Sequence, residues 1–87
     1  MKITKQHREC FKEALENLPT DYLICHAIGS TTASEQVQKE CVNILYYYFC
    51  DDPNRSVLWL PCADDLTRDE LLTCRLLALY TLIYAPL

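Results

Sequence analysis

A single glycine, Gly29, serves all 87 residues of this chain, and only four prolines accompany it. Tight β-hairpins are built on positive φ angles, which glycine supplies at least steric cost. With so few positions able to reverse a strand, an all-β fold is disfavoured and helices are expected. The length allows one domain, residues 1–87, because a chain this size buries only about 60 to 65% of its unfolded surface. Yet 51% of its residues are apolar and nine are aromatic. That content crowds a core this small. Part of the apolar surface is therefore expected to face another protein.

Apolar spacing divides the chain into segments. Ile3, His7, Cys10, Phe11, Ala14, Leu15 and Leu18 recur at three- and four-residue steps between charged residues, the pattern of an amphipathic helix over about 4–18. Thr4 is its expected N-cap and Pro19 its expected stop. A short buried helix over about 20–28 is expected to close on Gly29 as a C-cap. Thr32 and Glu35 have capping-box spacing at the head of a third helix, about 33–50. There Val37, Cys41, Ile44, Leu45 and Tyr48 make one stripe, with Val42, Tyr46 and Phe49 beside or beyond it. Asp51-Asp52-Pro53-Asn54 ends that helix with turn chemistry, and an extended apolar connector, or a lone short strand, is expected near 57–60.

The strongest local signal follows. Thr67 and Glu70 have the spacing of a second capping box, and Leu66 is placed to staple onto Leu71. A helix is expected from Arg68 to about residue 84, ahead of Pro86, apolar on nearly every side. The 12 uncharged residues from Leu76 to Leu87 fall short of the roughly 17 to 25 that a membrane span needs. No membrane association is expected, and the second apolar face is assigned to a protein. The whole reads as an all-α bundle of three to four helices.

Charge narrows the partners. The net charge is −4, with six acidic and two basic residues between Asp51 and Glu70. Direct nucleic-acid binding is disfavoured, since phosphate contact wants a basic face. The six cysteines lack the glycine-rich, loop-rich setting of a secreted disulfide scaffold. The polar N-terminus also lacks the apolar stretch of a signal peptide. A cytoplasmic protein with reduced, mostly buried thiols is expected.

No catalytic, cofactor or metal site is expected. No Cys-x-x-Cys is present, and a zinc site built from His7, Cys10, Cys25 and His26 would need adjacent residues on different helix faces to converge. A Cys/His nucleophile would need an orienting third group and an oxyanion-binding turn, which a chain with one glycine is poorly equipped to build. The Asp51-Asp52 and Asp64-Asp65 pairs flank turns or helix starts and read as caps. Three consecutive tyrosines, Tyr46 to Tyr48, cover about 200° of a helix and cannot all face one core; tyrosine is favoured at interfaces.

The expected interface, to a partner or to a second copy in a dimer or higher oligomer, comprises Tyr46, Tyr47, Phe49, Trp59, Leu72, Leu76, Leu79, Tyr80 and Ile83. An acidic surface of Asp51, Asp52, Asp64, Asp65 and Asp69 accompanies it. These features point to a non-enzymatic regulatory protein that binds and inhibits another protein. By analogy of size and charge with the compact inhibitors and antirepressors of phages and mobile elements, the target is a nucleic-acid-associated protein such as a repressor or a defence nuclease. The alternatives are a structural or assembly subunit and a cysteine-based metal or redox sensor.

Overall fold

Four helices carry the described part of the chain: α1 (Lys5–Asp21), α2 (Ile24–Gly29), α3 (Glu35–Cys50) and α4 (Arg68–Tyr84). A computed structural model describes residues 3–21, 23–50 and 67–84, and for Cys50 the backbone only. Trp59, Asp51, Asp52, Asp64, Asp65, the Leu66 staple and the connector near 57–60 lie outside the described residues. The architecture is the expected all-α bundle. α1 is central: it packs against each of the other three helices, and α2 also packs against α3.

The buried face of α1 is the stripe read from the sequence, with His7, Cys10, Phe11, Ala14 and Leu18 inside and Leu15 partly so. Its first turn is closed by a reciprocal cap. The Thr4 hydroxyl accepts from the His7 N–H (3.3 Å), and Nδ1 of His7 accepts from the Thr4 N–H (3.1 Å). Histidine thus takes the place that glutamate or glutamine holds in a capping box. Because Nδ1 accepts, the ring proton sits on Nε2, which donates to Oε1 of Glu40 on α3 at 3.2 Å. One side chain therefore caps α1 and ties it to α3.

Three local expectations are corrected. α1 does not stop before Pro19 but runs through it to Asp21. Leu18 is fully buried and fixes that turn, so tertiary packing overrides a weak local preference, and Thr20 Oγ1 donates to the Asn17 carbonyl (2.9 Å). The α2 helix accordingly starts only at Ile24, after an extended Leu23. Gly29 is the last helical residue of α2 and not a left-handed cap. The exposed carbonyls there are met by two hydroxyls, Ser30 Oγ donating to His26 O (2.9 Å) and Thr31 Oγ1 to Ile28 O (2.7 Å).

The third correction concerns Thr32, which does not cap α3. Its backbone N–H and its hydroxyl both donate to the Glu13 carboxylate of α1, the hydroxyl at 2.8 Å. Ser34 caps α3 instead, its Oγ accepting from the Val37 N–H at 3.3 Å. α4 begins where expected. The Thr67 hydroxyl accepts from the Glu70 N–H (3.2 Å), and the Glu70 carboxylate accepts from both the Thr67 N–H (3.4 Å) and its hydroxyl (3.0 Å).

Candidate functional site

Helix α4 turns one face into the core and another to solvent. Arg75, Ala78, Leu79, Leu82 and Ile83 are buried. Opposite them Thr73, Leu77, Tyr80 and Tyr84 are exposed, at steps of four, three and four residues, which places them in one line along a helix. Leu77 is 51% exposed, Tyr80 47% and Tyr84 68%. The two tyrosine rings stack with centroids 5.9 Å apart and planes 18° from parallel. The result is an ordered apolar seam running down the second half of the helix.

Helix α3 adds a second apolar surface. Tyr46 and Tyr47 are exposed, Tyr48 is half-buried, and Phe49 is buried with the Tyr48 ring edge-on to it at 5.0 Å and 83°. The tyrosine run therefore divides between core and solvent, as the angular argument requires. Cys41, Ile44 and Leu45 carry the inward face.

Several residues expected at an interface are taken up by the chain's own core. Phe49, Leu79 and Ile83 are buried, and Leu72 and Leu76 pack against that core in part. Only Tyr46, Tyr47 and Tyr80 of the described candidates are exposed, together with Asp69 of the acidic set. Leu77 and Tyr84, also exposed, are not among the residues expected at the interface. At 3.6 residues per turn, the expected face of α4 lies roughly a quarter turn from the exposed seam. Arg75 misdirects the reading. A charged residue ordinarily marks the wet side, yet Arg75 is buried at the centre of the core face and its guanidinium has no hydrogen-bond or ion-pair partner among the described residues.

The titratable residues are arranged differently from a metal site. Cys25 and His26 are exposed on α2, His26 Nδ1 lying 3.5 Å from Asp21 Oδ1, while His7 and Cys10 face α3. Among the described residues no group of three or more His, Cys, Asp or Glu side chains is placed to hold a metal ion. The four described cysteines, Cys10, Cys25, Cys41 and Cys74, are free thiols. Partial desolvation by its neighbours pushes the Cys25 thiol up from its ordinary value although the residue is exposed. Among the described residues no helix is long and apolar enough to cross a membrane.

No family model matches the sequence, and no curated protein or solved structure shows significant similarity to it.

Proposed function

We propose that this chain is a cytoplasmic, non-enzymatic regulatory protein that self-associates through α4 and binds and inhibits a second protein through the tyrosine-bearing face of α3. The observation that carries the reading is the seam of Leu77, Tyr80 and Tyr84. Three large apolar side chains share one line of one helix, and two of them stack on each other. Isolated exposed apolar residues are ordinary, whereas a contiguous row on a rigid element is what protein interfaces use.

The seam favours a second copy of the same helix. Its four-three-four spacing matches the repeat by which two helices interdigitate, and a two-fold pair buries the same face on both sides. Tyr46 and Tyr47, both exposed, then present their rings to a different protein. The acidic residues around them in sequence suit a target with a basic surface, because charge complementarity speeds encounter and suppresses wrong partners. A nucleic-acid-associated protein such as a repressor or nuclease has such a surface.

The test separates the two faces. Tagged protein is used to capture partners from the cells that make it, alongside Tyr46→Glu/Tyr47→Glu and Leu77→Glu/Tyr80→Glu variants of unchanged helicity. Loss of a specific, nucleic-acid-associated partner in the α3 variant, with loss of self-association in the α4 variant, is the expected outcome. A partner retained by both variants, or one without nucleic-acid chemistry, contradicts the assignment. A partner that cannot be exchanged indicates an assembly subunit instead.

A further inference from the structure

The solvent-facing line of α4 does not begin at Thr73. Glu70 stands one step of three before it, so that exposed residues 70, 73, 77, 80 and 84 follow one another at steps of three, four, three and four, a single stripe along the helix. The stripe is graded. A carboxylate and a hydroxyl occupy its first half, and Leu77, Tyr80 and Tyr84 occupy its second. The two ends of the helix also differ in charge. Asp69 and Glu70 are exposed in the first turn, whereas at the last turn the Arg8 guanidinium of α1 donates to the Ile83 carbonyl.

Two copies related by a two-fold axis can set their α4 helices parallel or antiparallel. In the parallel pair each residue of the stripe meets its own counterpart. Glu70 opposes Glu70 and the two Arg8 ends lie side by side, and like charges brought together at an interface are repulsive. The antiparallel pair has neither conflict. From 73 to 84 the steps read four, three, four in both directions, so the stripe superposes on its own reverse about a point between Leu77 and Tyr80. Leu77 then lies opposite Tyr80 of the second copy, and Thr73 opposite Tyr84. Each large ring faces a smaller side chain, the arrangement in which facing rows interdigitate. Covering Thr73 costs it no hydrogen bond, because its hydroxyl already donates to the Asp69 carbonyl at 3.0 Å. The same register carries Glu70 of each copy about 6 Å past the level of Ile83 of the other, to the end where Arg8 stands.

We infer that the occupant of the α4 seam is a second copy of this chain in antiparallel orientation, with Leu77 packed on Tyr80 and Thr73 on Tyr84 across the two-fold axis, and with each acidic first turn beside the Arg8 end of the other copy. This orientation rests on the self-association through α4 proposed above and specifies its direction and register.

The full chain is made with Tyr84→p-benzoylphenylalanine and, separately, with Thr73→p-benzoylphenylalanine, both at exposed positions. Each is mixed with an isotopically heavy copy of the unmutated chain, irradiated and cleaved with trypsin, which cuts after Arg68 and Arg75. Residue 84 is expected to link to the heavy 69–75 peptide, and residue 73 to the heavy peptide that begins at Leu76. Should one variant lose helicity, the other carries the same distinction. The reverse pattern, 84 to the heavy peptide beginning at Leu76 and 73 to heavy 69–75, overturns the antiparallel orientation while leaving self-association through α4 in place. Absence of light-to-heavy links in a chain of monomeric mass overturns both. Their absence in a chain of dimeric mass overturns the seam as the place of contact.

Discussion

Gly29 sits in a helical conformation at the end of α2, and a Cβ built on it meets no atom within 4 Å. The chain's one glycine therefore occupies a position that alanine fills without strain. Gly29→Ala is expected to raise stability by about 0.5 to 1 kcal/mol, chiefly by narrowing the unfolded ensemble. For a domain this small that is a rise of about 2 to 8 °C in the melting midpoint, measurable by thermal circular dichroism; a fall contradicts the helical assignment. The thiols give a pH dependence whose sign follows from their shifts. Cys10 ionises near 7 in the folded chain, below its ordinary value of 9.0, so the unfolded state binds more protons between about pH 7 and 9 and stability rises with pH there. Cys41, shifted upward, has the opposite effect above pH 9. Denaturant titrations across pH 6 to 10 are expected to show the rise in the unmutated protein and a flatter profile in Cys10→Ser.

At the scale of elements, legibility tracked the strength of the local signal. The start of α4 was legible because Thr67, Glu70 and Arg68 state a complete cap within four residues. Thr67→Ala is expected to cost about 1 kcal/mol and Glu70→Ala less. The double variant should cost less than the sum, since both remove one reciprocal contact; additive losses in chemical denaturation would mean that the two side chains act separately. The α1–α2 corner was not legible, because what carries α1 past Pro19 is the burial of Leu18 against other helices, and no local pattern records that. Thr32 had the right spacing for a cap but found the Glu13 carboxylate, nineteen residues away in sequence. The face of α4 was obscured for a third reason. With apolar residues nearly all round, only Arg75 distinguished one side, and it points inward. A buried guanidinium is costly where no acceptor meets it, and none does among the described residues, so Arg75→Met is expected to stabilise the fold by about 1 kcal/mol or more. Destabilisation in the same denaturation assay would show that the charge is satisfied.

At the scale of the molecule, the bundle is organised around α1, with α3 and α4 each packed against it. The sequence allowed the class of fold and the need for an external apolar surface to be inferred from one glycine, a high apolar fraction and a short chain. It could not assign that surface to residues, because which side of α4 meets α1 depends on the packed bundle. Leu79 and Ile83 fill the interior while Leu77, Tyr80 and Tyr84 remain outside. This partition lets substitution separate stability from the proposed assembly. Leu79→Glu places a charge in the core and is expected to abolish folding, whereas Leu77→Glu/Tyr80→Glu should leave helicity intact.

The most direct measurement is the native mass of the unmutated chain and of Leu77→Glu/Tyr80→Glu by light scattering at micromolar concentration, with circular dichroism on the same samples. The expected result is a dimer or higher assembly for the unmutated protein and a folded monomer for the variant. An unmutated protein that is monomeric, or a folded variant that keeps the assembled mass, would contradict the claim that the α4 seam is where one copy of this chain meets another.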